Sequence, residues 1–171
     1  MKIRLLTFSA LVALLVAGCG KNEASSTAAA PAASPSPAAA APKPAAGPRV
    51  IEITANDQMK FSVSTIEAKA GEDLKVVLTN VGTIPKEAMG HNWVLLKAGT
   101  DVASFSAAGA VAKDTDYISP ALKDQVIAHT TVLGPRKSDE VSFKAPAAGE
   151  YPFICSFPGH FITMKGTLVV K

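Results

Sequence analysis

The chain has 171 residues, 18% of them charged and 48% hydrophobic, with a formal net charge of +3. That length allows one domain once any targeting segment is removed. From Pro48 onward 13 Lys and Arg balance 13 Asp and Glu, so the folded part has no basic excess to recruit nucleic acid.

The N-terminus reads as an export signal. Lys2 and Arg4 form a basic start, Leu5 to Val16 an apolar run, and Val16-Ala17-Gly18 a small-residue approach to Cys19. The run is shorter than the about 20 apolar residues a spanning helix needs. Residues 1–18 are therefore expected to be a signal peptide. The order Val-Ala-Gly-Cys resembles a lipoprotein box. It implies cleavage before Cys19, lipid on Cys19 and a protein anchored to a membrane rather than crossing it. The residue after Cys19 is not Asp, which in diderm bacteria resembles sorting to the outer membrane. The plainer reading of Cys19 is an ordinary cysteine near a cleavage site.

Residues 19–47 follow as a tether. Gly20 to Gly47 is mostly Ala, Pro and Ser and cannot bury enough apolar surface to offset chain entropy. Fully polyproline-like, it would reach on the order of 90 Å. It serves as a leash toward partners or as a plain spacer.

The domain is expected over residues 48–171. Short β-rich runs separated by turn signals begin at Val50–Thr54, then Lys60–Val63, Leu74–Thr79 and Asn92–Leu96. Gln125–Thr131, Glu140–Phe143, Tyr151–Ile154 and Thr167–Val170 follow. About eight strands at this spacing predict an all-β sandwich or barrel. Ala98 to Leu122 breaks the rhythm and is expected to be an inserted flap with a short helix near Val102–Val111.

The chemistry concentrates at the C-terminus. Tyr151-Pro-Phe-Ile-Cys155-Ser-Phe-Pro-Gly-His160-Phe-Ile-Thr-Met164 carries a thiol, an imidazole and a thioether within ten residues. Pro158-Gly159 forces a turn between the first two. A fourth donor, His91, stands in Met89-Gly90-His91-Asn92-Trp93. Two His, one Cys and a weak axial Met form the ligand set of a blue-copper site, whereas zinc prefers four good donors in a tetrahedral array. Export also implies an oxidising compartment. With Cys19 carrying lipid, Cys155 has no partner in the chain, and metal ligation accounts for a lone thiol there. An inert buried thiol or an intermolecular bridge is the alternative. Taken singly, a His or a Met near a loop is more often surface or core than ligand; the argument rests on their arriving together.

Met89–Leu95, Val126–Thr130, and Cys155 to His160 with Met164-Lys-Gly166 resemble azurin. So do Asn56–Met59 and Ile84-Pro-Lys86. The resemblance runs in order from Val50 to Lys171, and the N-terminus adds a likeness to lipid-modified azurins. It implies a cupredoxin-like Greek-key β-sandwich. It implies one type 1 copper held by His91, Cys155 and His160, with Met164 and the Gly90 carbonyl as weak axial ligands. Asn92 and Ser156 would steady the cysteine loop by hydrogen bonds. Ile84, Ala88, Met89, Phe157, Pro158, Ile162 and Thr163 would ring His160 as an apolar docking patch.

The departures from azurins are specific. Azurins usually carry a disulfide near the domain's N-terminus, but no cysteine stands around Arg49 or Glu72. Thr163 replaces a usual Leu. Asn80 stands near where a histidine is often found, so proton-linked behaviour does not carry over.

The function expected is single-electron transport in the bacterial cell envelope, in the periplasm or at the surface. Partners are expected to be redox proteins such as c-type cytochromes or copper oxidoreductases, and the membrane through the lipid. The oligomeric state is open, with a monomer expected. An enzyme is not: with three His, two of them assigned, one subunit cannot build a second, open copper site. A copper store would favour more Met, His or Cys. A surface adhesin or ligand-binding lipoprotein, its metal unused for electron transfer, is the remaining alternative. His129 is expected at the surface, with a second electron port or an adventitious metal site as its functional alternative.

Overall fold

The computed structural model describes residues 47–171. The signal peptide, Cys19 and the tether up to residue 46 lie outside the described residues. Nine strands are found among those described: β1 (Arg49–Asn56), β2 (Lys60–Phe61), β3 (Thr65–Ala68), β4 (Asp73–Asn80), β5 (Val94–Leu96), β6 (Val126–His129), β7 (Ser138–Lys144), β8 (Gly149–Ile154) and β9 (Lys165–Val170). They form two sheets, ordered β2-β1-β4-β7 and β3-β9-β8-β5-β6. The β1–β4 and β3–β9 pairs are parallel and the rest antiparallel. This is the Greek-key β-sandwich expected, with one strand more.

The extra strand is β3. Its sequence, Thr-Ile-Glu-Ala, mixes residues of good and poor strand propensity, and Ser64-Thr65 reads as a turn. Pairing decides instead: Ile66 and Ala68 face the core, and Thr65–Ala68 runs beside Thr167–Val170 of β9.

Between the sheets lie Ile53, Leu74, Leu78, Trp93, Leu95, Phe153 and Leu168, all essentially inaccessible to solvent. Trp93 stacks on Phe143 at 5.8 Å and leans on Phe153 at 5.6 Å. Strand β5 is buried on both faces. The reason is the flap: Val94, Leu96 and Ile154, on the outer face of the second sheet, pack against Phe105 and Ile118. Burying a Phe side chain contributes roughly 2–3 kcal/mol, so the flap is a third layer over that sheet. Its helix, α2 (Val102–Gly109), follows a short helix α1 (Lys86–Met89) in the chain. The Asp101 carboxylate caps α2 by accepting from the Ser104 N–H at 2.8 Å. The helix ends two residues before the predicted limit.

An ion pair joins the two regions where azurins usually carry a disulfide. Arg49 Nε lies 2.6 Å from Glu72 Oε1, and its Nη2 donates to the Glu67 carbonyl at 2.6 Å. Arg49 begins β1 in one sheet and Glu67 sits in β3 of the other, so one guanidinium clamps both. The Arg49 guanidinium, helped by the Lys69 backbone N–H, holds the Glu72 carboxyl below its usual range. A lowered folded-state pKa means stability present above the unfolded pKa and lost as pH falls through the folded one. Arg49→Ala is expected to cost about 1 kcal/mol at pH 7, as a forked but half-exposed pair does. The difference should shrink as pH falls through the lowered pKa of Glu72, toward the part that comes from the bond to the Glu67 carbonyl, which does not titrate. Urea melts of the two proteins at pH 7 and pH 3.5 check this, and an equal cost at both would remove the electrostatic account.

Candidate metal centre

Strand pairing brings the C-terminal donors together. Ile154 of β8 faces Lys165 of β9, so Cys155 and Met164 are the first pair beyond the ladder. The Cys155 N–H donates to the Met164 carbonyl at 3.0 Å, and the Met164 N–H to the His160 carbonyl at 2.8 Å. Gly159, at φ 82°, takes the left-handed turn that returns the chain toward Cys155. A short 3-10 turn over His160–Ile162 completes the loop.

His91 arrives from elsewhere in the chain. Its N–H donates to the Leu133 carbonyl at 3.2 Å and its carbonyl accepts from the Leu133 N–H at 2.7 Å. This bridge stands apart from β5, which begins only at Val94. Before it, Gly90 allows a close approach. A Cβ there would meet the Val132 side chain at 2.5 Å and the Lys86 carbonyl at 2.8 Å. The Gly90 carbonyl consequently lies 4.0 Å from Cys155 Sγ.

The donor atoms of His91, Cys155 and His160 all lie within 4.8 Å of one another. Cys155 Sγ is 3.6 Å from His160 Nδ1, and the two imidazole rings are 5.0 Å apart. All three residues are buried, as is Met164. Both ring nitrogens of His91 lack a hydrogen-bond partner. An unpaired buried polar atom is costly, and a cation between the donors would satisfy it.

The electrostatics agree. Burial pushes the Cys155 thiol up to about 12, against the pull of the Asn92 and Phe157 backbone N–H groups. A thiolate here therefore needs a positive partner. Burial, with His91 beside it, lowers His160 to about 4. Burial also lowers His91, opposed by the Asn56 backbone and the negative charge of Asp57. Both imidazoles are thus held in the neutral, lone-pair form that binds metal.

Beside the donor cluster, Asn92 is bonded to the cysteine loop. Its Oδ1 accepts from the Ser156 N–H at 2.9 Å, and its Nδ2 donates to Ser156 Oγ at 2.8 Å. A buried thiol and two imidazoles converging in this way fit copper.

The profile of the copper-binding plastocyanin/azurin family matches residues 49–171. The chain belongs to the plastocyanin/azurin family. Azurin from Pseudomonas chlororaphis is 41% identical over 126 residues, covering 71% of this chain and 97% of that one. Azurin from Bordetella pertussis is 42% identical over 122 residues, covering 69% of this chain and 81% of that one. Among solved structures, the azurin iso-2 of Methylomonas sp. strain J superposes with a TM-score of 0.63 at 35% identity, over 72% of this chain and 98% of that one. Auracyanin A, a blue copper protein from Chloroflexus aurantiacus, reaches 0.65 at 33% identity, over 73% of this chain and all of that one. Proteins of this family are electron carriers, not enzymes, and copper is their cofactor. The His91, Cys155 and His160 cluster is positioned as a type 1 copper site.

The residues expected to form a docking patch divide. Ala88, Pro158, Thr163 and Ile162, the last 64% exposed, lie at the surface, and Ile84 and Met89 are half-buried. Phe157 is 8% exposed and forms a wall rather than a surface. Its ring sits 5.1 Å from Tyr117 and 4.6 Å from His160. His160 keeps 4% exposure. Thr163, a polar departure from azurins, turns its hydroxyl to the Met59 carbonyl at 3.1 Å. His129 is exposed, with Nδ1 3.2 Å from the Thr130 carbonyl. Sequence reasoning missed the flap residue Asp116, whose carbonyl accepts from Ser156 Oγ at 2.7 Å.

Proposed function

We propose that this protein is a type 1 copper electron carrier of the bacterial cell envelope. In this reading His91, Cys155 and His160 hold the metal, with Met164 and the Gly90 carbonyl as weaker ligands. What carries it is the buried cluster itself, with its donor atoms within 4.8 Å of one another and an imidazole left without a partner. Copper, when bound, supplies a one-electron Cu(I)/Cu(II) couple. The chain's part is to fix the ligands and exclude water. Strand ends, the Asn92 bonds and the Leu133 bridge hold the donors so that little rearranges on electron transfer. His160, nearly buried beside Phe157, would lead the electron out toward a face that includes the exposed Ala88, Pro158 and Ile162. That small apolar face suits brief docking with redox proteins such as c-type cytochromes or copper oxidoreductases.

The N-terminal sequence supports anchorage through lipid on Cys19, with the outer membrane favoured and the domain held in the periplasm or at the surface. Among the described residues no helix is long and apolar enough to cross a membrane. The mass of the N-terminal peptide tests the anchor, since a diacylated Cys19 would replace Met1 as the first residue.

The test of the copper reading is the visible spectrum of the purified protein with Cu(II), before and after ascorbate. An intense blue band that bleaches and returns is expected; a colourless protein overturns it. Within that reading, Met164→Gln is expected to keep copper and lower the reduction potential. The oxygen donor favours Cu(II), and a shift of about 60 mV or more corresponds to a tenfold change in preference. Voltammetry of the two proteins decides, and equal potentials would remove Met164 from the residues that would hold the copper.

A further inference from the structure

The flap meets the surroundings of the donor cluster at Asp116, by hydrogen bonds, and at Tyr117, by ring packing. The Asp116 carbonyl accepts from Ser156 Oγ at 2.7 Å and from Asn92 Nδ2 at 3.1 Å. Its carboxylate accepts from the Val132 N–H at 2.8 Å. The first two bonds hold the segment behind Cys155. The third holds Val132, which packs against Gly90 and precedes Leu133, the residue bridged to His91. Thus the carbonyl serves one ligand segment and the carboxylate the other.

The backbone is bent to allow this. Asp116 has φ 55° and Tyr117 φ 57°, two consecutive left-handed residues that are not glycine. Asp tolerates that region better than most side chains, and Tyr does not favour it. Such conformations persist where the surroundings over-determine them, which points to a functional reason. Tyr117, placed by the same turn, packs its ring against Phe157 beside His160.

We propose that Asp116 is a positioning residue of the metal centre, through which the flap sets the two segments that carry Cys155 and His91. It touches neither ligand side chain; it acts through Ser156, Asn92 and Val132. The assignment builds on the copper reading, but its effect on the protein segments is measurable without copper.

The experiment compares the native protein with Asp116→Gly and Asp116→Asn. Glycine keeps the left-handed backbone and deletes the carboxylate; asparagine keeps a neutral acceptor. In the metal-free proteins, amide hydrogen exchange at Val132, Leu133 and His91 is expected to rise about tenfold in Asp116→Gly. Asp116→Asn should fall between that and native, and the amides of β4 should be unchanged in both. With Cu(II) loaded, release to a chelator should quicken about tenfold in the glycine variant, as the loss of an outer hydrogen bond does. The thiolate-to-copper band should shift in the same order. Exchange at Val132 equal to native in either variant overturns the proposal, and the asparagine variant alone decides if the glycine one does not fold. So does a uniform rise that includes β4, which would mark a merely structural role. Local exchange that rises while copper release and the band stay native overturns the link to the metal centre. A native protein that takes up no copper would instead defeat the copper reading, leaving the exchange result standing by itself.

Discussion

Replacing Cys155 by serine is expected to erase the blue absorption and one-electron cycling while the sandwich stays folded. The colour depends on a sulfur donor that can give charge to copper, and a hydroxyl is a hard, weakly acidic substitute. Among the described residues Cys155 is the single cysteine, so none of them offers a second thiol. The visible band should fall below about 1% of its native intensity. Folding should survive because the swap removes little volume. The hydroxyl would occupy a fully buried position flanked by the Asn92 and Phe157 backbone N–H groups. Burying an imperfectly bonded hydroxyl costs about 1–3 kcal/mol, which a domain stable by about 5–15 kcal/mol absorbs. Absorbance with Cu(II) and a thermal melt read the two halves separately. An intense band in the serine protein would mean that Cys155 is not the ligand.

The site is legible in the sequence where its parts are close along the chain. Cys155, His160 and Met164 lie on one β8–β9 connection, and the Pro158-Gly159 turn announces that Cys155 and His160 converge. His91 stands out because Gly90 and Asn92 flank it. Gly90 permits a close approach of the backbone, and Asn92 supplies the loop hydrogen bonds. What sequence does not supply are the contacts between distant segments. Asp116 and Ser156 are 40 residues apart, and nothing in Asp114-Thr-Asp116 marks which carboxylate will meet Val132. The Arg49–Glu72 pair spans 23 residues and looks like ordinary surface charge. Phe157 reads as part of the exposed patch because its neighbours are. The turn at Gly159 instead sets it between Tyr117 and His160. The strand β3 is hidden in the sequence because Glu and Ala carry weak strand preference, and its identity comes from β9.

Just beyond the β8–β9 connection, in β9, Gly166→Ala is expected to carry a large cost in stability. Gly166 pairs with Phe153 across the two strands. A Cβ there would fall 2.2 Å from the Phe153 ring and 2.4 Å from the Ser64 carbonyl oxygen. Neither neighbour can yield cheaply. Phe153 is fully buried, 5.6 Å from Trp93 and 5.9 Å from Phe61. The Ser64 carbonyl is held by the Thr167 N–H at 2.9 Å, one residue along the strand. Relief therefore requires β9 to move away from β8 or from β3. Overpacking of this kind costs about 3 kcal/mol, at the upper end of such changes. For a domain of this size that lowers the melting temperature by about 10 °C. The displacement would begin two residues from Met164, whose carbonyl closes the ligand loop onto the Cys155 N–H. Copper retention and band position should therefore deteriorate together with Tm, unlike in Cys155→Ser, where colour is lost and Tm is largely kept. A Gly166→Ala protein with native melting temperature would show that β9 is free to shift. In that case the rigidity assigned to the ligand loop would have to come from the Asn92 and Leu133 bonds alone.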